Sequence, residues 1–341
     1  MRGAAVPAEI GLMAQGQHQI LARCVGAGAP LAQMISVRGH VTVGLLDPIC
    51  APKLGPRRSA VTLLEAAAQA SGTWPALYKV GAGMAAAARA KGWRCARISR
   101  EGVIDLREYD LAAPARAGLR RKLRRAETAG VRVQLAQNSA LPLAEMAALC
   151  AEWARAHGGE RGFSMGQFDP DYIAQQRIYV ARIHGRLAGF VTLHSGLGLG
   201  GPAQEWTLDL MRHGADLPDG AMHALVHLAI MDAQRCGISR LSLAAVPEAA
   251  FGAHHGRLAA ALARILGLDA GRGLRRFKDA FAPDWQPRYL CAPHMAALVV
   301  AAASIWRAVV RGAPCAKTAA KPAPCAHNRF ALRAGIWQGR A

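Results

Sequence analysis

Acidic residues are scarce in this chain of 341 amino acids. It contains 22 Asp and Glu against 42 Lys and Arg, which leaves a formal net charge of +20 and a pI near 10.6. An excess of that size favours a polyanionic partner, either nucleic acid or an anionic membrane surface. With 52% hydrophobic residues, the chain can bury a substantial core, and its length predicts two domains.

Paired cysteines and long apolar runs are also missing. The eight cysteines are scattered without a CxxC pair, which argues against a zinc site or a disulfide framework and indicates a reducing compartment. No signal peptide is recognisable, and the most apolar run, residues 296–306, is about half as long as a bilayer crossing. We therefore expect a cytoplasmic protein, soluble or peripheral, with no metal and no cofactor.

Motifs for nucleotide binding and for a nucleophilic serine are absent as well. The glycine-rich residues 196–202 link two predicted strands and are interpreted as a flexible loop. His223 and His227 have the spacing of metal ligands on a helix, but no third ligand accompanies them, so packing is the preferred interpretation. Two other groups are discounted as metal sites: His254 with His255, and Cys315, Cys325 and His327 in the tail.

What the chain does contain is an alternation of strands and helices. The first half predicts a strand at 37–43, a turn at 44–48, a helix at 59–70, a strand at 76–80, a helix ending at Gly92 and a strand at 93–98. The second half predicts strands at 177–183, 187–194 and 205–211, a helix ending at Gly237, a strand at 238–244 and a helix at 255–266. The order in the second half is that expected of a GNAT-type acyltransferase fold, and the first half has a similar rhythm, so we predict an α/β protein.

Four segments are predicted from this alternation. Residues 1–35 form an N-terminal extension without an assigned function, and residues 36–135 an N-terminal GNAT-like domain that includes a basic helix. Residues 136–312 form the C-terminal, catalytic GNAT-like domain and end in a basic amphipathic helix. Residues 313–341 are rich in Lys, Ala and Pro and are predicted to be a disordered tail.

The basic helix spans residues 115–130, with Leu119, Leu123 and Ala126 on one face. Like charges at helical spacing repel, and Glu127 is the only acid near six basic residues, so contact with a polyanion is favoured over a solvated face. The residues predicted to make this contact are Arg116, Arg120, Arg121, Arg124 and Arg125.

A carboxylate inside an apolar strand marks the second half. Strand alternation predicts Trp206, Leu208 and Leu210 on one side and Thr207, Asp209 and Met211 on the other. Such a carboxylate is costly unless it binds a cation, which leaves two alternatives: a salt bridge to an arginine or a receptor for an ammonium group. The segment after this strand, residues 212–220, holds two aspartates and a proline, so it suits pyrophosphate poorly and indicates an acyl donor other than acetyl-CoA.

The segment GLRRFKDAFAPDWQPRYL, residues 273–290, is cationic, aromatic and stiffened by prolines. It predicts one wall of a site for an anionic ligand. Together with GERGFSMGQF at 159–168 and WTLDLMR at 206–212 followed by PDG at 218–220, it resembles the catalytic domain of phosphatidylglycerol lysyltransferases. The basic helix and the Asp47-Pro48 turn are also similar to that domain, and the resemblance spans roughly residues 35–312.

The resemblance implies two tandem GNAT-like folds with the active site in a tunnel between them. The reaction that it implies is transfer of a lysyl or other cationic aminoacyl group from aminoacyl-tRNA to phosphatidylglycerol. It implies catalytic roles for Asp209, Arg212 and Lys278. Arg276 and Lys278 would hold the lipid phosphate or the oxyanion, Asp209 and Glu160 the substrate amines, and Arg212 would orient Asp209 or the ester carbonyl. The substrate-binding residues would be Glu160, Arg161, Ser164, Arg276 and Arg288, and the basic helix would meet the tRNA acceptor stem.

Family members often carry a large N-terminal membrane domain, and we expect a stand-alone form here, peripheral on the inner face of the cytoplasmic membrane. The helix at about 293–311 either reaches lipid or packs against the core. Two further functions remain open: a transferase with a peptide or small amine as acceptor, and an inactive RNA- or membrane-binding protein.

Overall fold

The structure, a computed structural model, describes residues 7–25, 29–50, 53–137, 140–195, 204–247 and 271–311. The strands are β1 (Gln19–Val25), β2 (Ala29–Arg38), β3 (Val41–Ile49), β4 (Trp74–Val80), β5 (Arg94–Asp105), β6 (Arg132–Leu135), β7 (Arg177–Ile183), β8 (Arg186–His194), β9 (Glu205–His213), β10 (Arg240–Pro247) and β11 (Asp284–Ala292). The helices are α1 (Leu54–Ala70), α2 (Ala82–Arg89), α3 (Ala117–Thr128), α4 (Leu143–His157), α5 (Pro170–Ile173), α6 (Ala221–Arg235), α7 (Gly271–Asp279) and α8 (Met295–Arg311). Two 3-10 helices, Ala8–Gln15 and Pro114–Arg116, complete the described elements.

All eleven described strands form one sheet in the order β1-β2-β3-β4-β11-β5-β10-β9-β8-β7-β6. Each half contributes one parallel pair, β3 with β4 and β9 with β10, and the other pairs are antiparallel. The last strands of the two halves interlock, because β11 lies between β4 and β5, while β5 pairs with β10. The α/β class is confirmed, and the division at residue 135 remains a prediction.

Helices cover both faces of the sheet and bury separate clusters of apolar side chains. In the first half, α1 and α2 pack on one face, and α8 packs on β3, β4 and β11 from the other. In the second half, α3 and α6 cover one face and α4 the other. The apolar positions of α6 recur at helical spacing, which is why this helix can place eight residues in the core.

Several predicted boundaries differ from the structure, among them the following three. The predicted strand at 37–43 spans a tight turn at residues 39–40, where Gly39 has a positive φ of 58°. The predicted turn at 44–48 lies inside β3, because its apolar residues are buried in the sheet and Pro48 is tolerated near the strand end. β5 extends to Asp105, beyond the predicted end at 98. The predicted helix at 255–266, the loop at 196–202, His254, His255 and the tail lie outside the described residues.

The N-terminal extension contains regular structure. Its first 3-10 helix, Ala8–Gln15, contacts β8 and β9, and β1 and β2 form a hairpin at the edge of the sheet. Leu12 of this helix is buried against Met34, Leu45 and Leu46. The weak periodicity of residues 1–35 hides these elements, because a short 3-10 helix and an edge hairpin give little of the spacing that reveals longer elements.

Candidate active site

The centre of the sheet opens between two parallel strands. β9 and β10 pair only through residues 205–207 and 240–242, although both strands continue beyond these residues. Past Ser242 the register of β10 against β5 shifts, and Ala244 has a left-handed φ of 60°. Irregularities of this kind interrupt strand pairing and redirect side chains. The gap between β9 and β10 is the candidate active site.

Asp209 lies on β9 beside this gap, and its carboxylate is buried. One oxygen accepts a hydrogen bond from the Gly166 amide at 2.9 Å, and the other accepts from the Tyr172 hydroxyl at 2.6 Å and the Gln176 amide at 2.9 Å. His194 Nε2 is 3.5 Å from the second oxygen. Burial, and then the charge of Asp209, raise the pKa of Tyr172, so its hydroxyl stays a donor. Among the described residues no arginine pairs with Asp209, so of the two alternatives the structure gives no support to the arginine salt bridge.

The side chains of β9 do not alternate as predicted. Trp206 and Leu208 pack beneath α6, whereas Leu210 packs with α4 on the opposite face. The register between β8 and β9 shifts here, and the Leu210 amide donates to the Thr192 hydroxyl at 3.1 Å. The irregularity places Leu210 on the same face as Asp209. The predicted grouping of Leu210 with Trp206 and Leu208 is therefore wrong.

Arg212 pairs with Glu160 and not with Asp209. Its guanidinium donates to Glu160 at 3.2 Å and lies over the ring of Trp153 on α4, 4.0 Å from the ring centroid. The other Glu160 oxygen accepts from the Phe168 amide at 3.0 Å. The predicted orientation of Asp209 by Arg212 is therefore wrong, and Glu160 already has a cationic partner.

A single loop, residues 158–169, connects these two carboxylates; we call it the site loop. Gly166 approaches Asp209 so closely that an added Cβ would collide with the carboxylate. Ser164 is buried, and its carbonyl accepts a hydrogen bond from Lys79 at 2.8 Å. Arg161 is exposed on the same loop. The structure thus brings together Asp209, Glu160 and Ser164 but leaves Arg161 at the surface.

Lys278 lies on the β10 side of the gap. From α7 it donates to the carbonyls of Ala244 at 3.0 Å and Ala245 at 3.4 Å, and only 2% of the residue is exposed. Burial lowers the pKa of Lys278 to about 7, although Glu101 acts in the opposite direction. Arg276 is exposed, because residues two apart on a helix point to different sides. The structure therefore separates the two residues that were predicted to hold the lipid phosphate or the oxyanion: Lys278 is buried and Arg276 is at the surface.

Arg288 belongs to a buried ionic cluster beside Lys278. Its guanidinium donates to Glu101 on β5, which also accepts from the Ser242 hydroxyl, and it lies 3.9 Å from Asp47. Burial raises the pKa of Glu101, but Arg288 and Ser242 outweigh burial and leave that pKa below its usual value. Arg288, predicted to bind substrate, therefore holds an internal carboxylate.

Lys79 connects this cluster to the site loop. It has a left-handed φ of 58° at an irregularity between β4 and β11, and its ammonium lies 3.7 Å from Glu9 as well as on the Ser164 carbonyl. Burial raises the pKa of Glu9, and Lys79 opposes that effect. Gly11, in the same 3-10 helix as Glu9, packs on the His194 ring without room for a Cβ. The N-terminal 3-10 helix therefore covers part of the candidate site.

A small cavity of about 40 Å³ remains under this helix. It is bordered by Ala8, Gly11, Ala14, Tyr172, Gln175, Gln176, His194 and Ser195. Three of these residues, Tyr172, Gln176 and His194, also surround Asp209. A space of this size holds a water molecule or an ammonium group.

Glu205, at the start of β9, is a second group, after Lys278, whose pKa lies near neutrality. Burial, followed by repulsion from Glu101, raises the pKa of Glu205 to about 7, while Arg240 at 3.4 Å opposes both effects. Lys278 and Glu205 are therefore two groups along β9 and β10 that titrate near physiological pH. Perturbed groups that cluster in this way are typical of functional sites.

The predicted basic strip on α3 separates into two sets. Arg116 donates to the carbonyls of Phe281 at 3.2 Å and Asp110 at 3.1 Å. Arg120 donates to the three carbonyls of residues 111–113. These two arginines fasten backbone segments together, so their first role is structural.

The outer set faces solvent. Arg121 and Arg124 are exposed, and Arg125 pairs with Asp219 at 2.9 Å, as does Lys122 at 3.0 Å. Pairs between exposed charges contribute little stability, so Arg125 can exchange Asp219 for another anion. A polyanion contact on this helix is thus reduced to its outer face.

Several members of the site are not evident in the sequence. Glu101 and Asp105 are the two acids in the otherwise basic strand β5, and nothing in the sequence distinguishes Glu101 as the buried one. His194, Tyr172 and Gln176 have no mutual spacing that indicates convergence on Asp209. Lys79 depends on an irregularity between strands that are distant in sequence.

His223 and His227 pack as interpreted. His223 lies 4.4 Å from the Phe277 ring and 5.7 Å from the Phe281 ring, and burial lowers its pKa to about 4. His227 Nδ1 is 3.2 Å from the Tyr109 hydroxyl. Within the described ranges, no three His, Cys, Asp or Glu side chains are grouped closely enough to hold a metal ion.

The sheet with its diverging parallel strands, and the helices on both faces, define an α/β fold of the GNAT-like acyltransferase class. Residues 24–292 match the family described as "Phosphatidylglycerol lysyltransferase, C-terminal", and the chain belongs to that family. The resemblance seen in the sequence is confirmed.

Known proteins agree with this assignment. The chain is 28% identical to a phosphatidylglycerol lysyltransferase of Bacillus subtilis over 208 residues, 58% of this chain and 24% of that protein. It is 29% identical to the lysylphosphatidylglycerol biosynthesis bifunctional protein LysX of Mycolicibacterium vanbaalenii over 262 residues, 72% of this chain and 23% of that protein. The chain thus spans about a quarter of the length of these curated relatives.

A solved structure shows the same fold. It is the C-terminal domain of a protein assigned as a lysylphosphatidylglycerol synthetase from Agrobacterium fabrum, with a TM-score of 0.74, 24% identity, and coverage of 92% of this chain and 95% of that one. None of the helices in the described ranges has the length and apolar character needed to cross a bilayer.

Proposed function

We propose that this protein transfers a lysyl or other cationic aminoacyl group from aminoacyl-tRNA to a glycerol hydroxyl of phosphatidylglycerol. One observation carries the proposal: β9 and β10 pair only through residues 205–207 and 240–242, and beyond these residues Asp209 lies on β9 and Lys278 contacts β10. The names of the relatives, a phosphatidylglycerol lysyltransferase and a lysylphosphatidylglycerol biosynthesis protein, support the lysyl group and the lipid acceptor. The tRNA donor is inferred from the exposed arginines of α3 and the net charge of +20.

Asp209 would bind the amine of the aminoacyl group. Its carboxylate is held by neutral donors, so its negative charge is not cancelled by an arginine. The adjoining cavity of about 40 Å³ has room for an ammonium group. A buried carboxylate of this kind favours a cation over a neutral side chain. Glu160, neutralised by Arg212, would instead keep the site loop in place.

Lys278 would serve the acyl transfer itself. The lipid hydroxyl attacks the ester carbonyl of the donor, the new ester bond forms, the bond to the tRNA ribose breaks, and the hydroxyl proton passes to the ribose oxygen. With its pKa near 7, Lys278 is suited to relay that proton and to stabilise the oxyanion. Its burial favours these roles over binding of a lipid phosphate.

The exposed arginines of α3 would contact the tRNA. Arg121, Arg124 and Arg125 lie on one outer face, where phosphate contacts add affinity without reading sequence. The acceptor is a membrane lipid, so we propose that the protein acts at the inner surface of the cytoplasmic membrane.

Purified protein with lysyl-tRNA labelled in its amino acid and phosphatidylglycerol in mixed micelles tests the proposal. Extraction and chromatography should reveal a labelled lipid. Asp209→Asn and Lys278→Ala should each reduce its formation by about 10²–10³-fold, while Arg235→Gln, an exposed change on α6, should not.

Assays with other donors and acceptors determine which aminoacyl group is transferred and which molecule accepts it. Arginyl-tRNA and alanyl-tRNA, assayed in parallel, show whether a cationic group is preferred. Absence of labelled lipid with folded protein would contradict the lipid acceptor, and label transferred to an amine or peptide would identify another one. Equal use of alanyl-tRNA and lysyl-tRNA, unchanged in Asp209→Asn, would contradict the role of Asp209.

A further inference from the structure

The last described helix, α8, is apolar on two faces. Its inner face buries Ala297, Ala301 and Ile305 against the first half of the sheet. Its outer face exposes large apolar side chains, with exposed fractions between 36% and 61%. At 3.6 residues per turn these side chains fall within about 60° of arc and form one stripe. The members of this outer stripe are Met295, Val299, Trp306 and Val310.

A basic groove runs along one side of the outer stripe. It encloses about 240 Å³ and contains three arginines, Arg38 from β2 and Arg307 and Arg311 from α8, with no acid among its lining residues. Arg38 is held in place by the Gln17 carbonyl at 3.2 Å and lies 5.2 Å from the centroid of the Phe163 ring. Among the described residues, Arg307 and Arg311 have no ion-pair partner, so three guanidinium groups converge without a counter-charge.

This groove is next to the candidate active site. The Gly162 amide of the site loop donates to the Val309 carbonyl of α8 at 2.9 Å. Phe163, which contacts Arg38, precedes Ser164, whose carbonyl binds Lys79. The site loop therefore contacts both α8, which carries the outer stripe, and Arg38, which lines the groove.

We propose that the outer stripe and the basic groove dock the protein on an anionic bilayer, with a lipid phosphate in the groove. This inference rests on the proposed function, because it gives the lipid acceptor a route to the site. The charge of the groove complements an anionic leaflet, while a stripe containing Trp, Met and Val matches the boundary between headgroups and acyl chains. RNA would use the three arginines but would leave the apolar stripe in water.

Flotation with vesicles measures this directly in the full chain. Vesicles of phosphatidylcholine with phosphatidylglycerol are compared with vesicles of phosphatidylcholine alone. Arg307→Gln with Arg311→Gln should weaken binding to the anionic vesicles by about thirtyfold, at about fivefold for each charge at the surface. Val299→Ser with Trp306→Ser should weaken binding further, and this effect should persist in high salt, which screens only the charges.

Matched controls come from the opposite half of the molecule. Arg186→Gln with Arg235→Gln removes the same charge from exposed positions, and Met231→Ser removes an exposed apolar side chain from α6. Neither should change flotation by more than about twofold. If the groove and stripe variants bind anionic vesicles like wild type, the docking surface is wrong. Loss of tRNA binding instead of vesicle binding in the groove variants would overturn it in favour of RNA.

Transfer assays distinguish a failure of the docking surface from a failure of the proposed function. With a short-chain, soluble phosphatidylglycerol, the stripe variant Val299→Ser with Trp306→Ser should transfer at the wild-type rate, and on vesicles it should be slower. If wild type transfers to neither form of the lipid, the proposed function fails, and flotation still decides the docking surface.

Discussion

Replacement of Lys278 by methionine should stabilise the protein at low pH. A fall in the pKa of Lys278 from 10.5 to about 7 corresponds to about 5 kcal/mol of destabilisation when both states carry the proton. Methionine removes that cost but leaves the carbonyls of Ala244 and Ala245 without their donor, which costs about 1–3 kcal/mol. At pH 6, Lys278→Met should therefore raise the free energy of unfolding by about 2–4 kcal/mol.

Because burial lowers the pKa of Lys278, the stability that this residue contributes depends on pH in the opposite direction to that of a lysine whose pKa is raised by a partner. Between pH 7 and 10.5 the unfolded chain binds more protons than the folded one, so wild-type stability from this group rises with pH. At pH 9 the cost of the buried lysine falls to about 2 kcal/mol, and the advantage of Lys278→Met should nearly vanish. The variant should lose transfer activity at both pH values.

Urea unfolding of both proteins at pH 6 and pH 9, followed by circular dichroism, measures the difference. Lys53→Met, at an exposed lysine, is the matched control and should differ little from wild type at either pH. A stability difference between Lys278→Met and wild type that is the same at pH 6 and pH 9 would refute the reasoning. Such a result would mean that Lys278 is hydrated or paired when the protein is folded.

Three further predictions follow, two for residues on or near β9 and one for the arginines of α3. Gly166→Ala should lower the free energy of unfolding by about 1–3 kcal/mol, because its Cβ collides with the Asp209 carboxylate, and urea unfolding checks this. Glu205→Gln should stabilise the protein at pH 8 but not at pH 4, because a raised pKa of about 7 costs stability only as pH rises above the ordinary value of 4.5; thermal unfolding at both pH values checks this. Arg124→Gln should weaken tRNA binding, and the slope of binding affinity against salt concentration should fall by about one released ion, without a change in melting temperature. Arg120→Gln should instead lower the melting temperature, because Arg120 donates to three backbone carbonyls.

Each of these has a control or a contrary outcome. Gly55→Ala adds a Cβ to open space on α1 and should be neutral or slightly stabilising. A larger stabilisation by Glu205→Gln at pH 4 than at pH 8 would contradict the cause assigned to its pKa. Equal melting temperatures for wild type and Arg120→Gln would show that the three carbonyls do not need Arg120.

The local sequence pattern was sufficient to predict many of the strands and helices of this protein. The strands at 177–183 and 187–194, the basic helix and the final helix follow from spacing along the chain and are confirmed within one or two residues at most ends. The motif at 273–289 pointed to the family, because its combination of charge, aromatics and prolines is rare, and the match over residues 24–292 confirms it. Asp209 stood out because a carboxylate in an apolar strand requires a partner.

By itself, the sequence determined the α/β class, the basic character and the family, and it singled out Asp209 and Lys278 as candidate catalytic residues, since these inferences depend on neighbours a few positions apart. Only the tertiary structure decided the partners. It paired Arg212 with Glu160 and Arg288 with Glu101, and it turned Lys278 inward while Arg276 faces solvent. These pairings depend on strands exchanged between the two halves and on irregularities in register, which bring together residues 52 and 187 positions apart and leave no periodic trace in the chain.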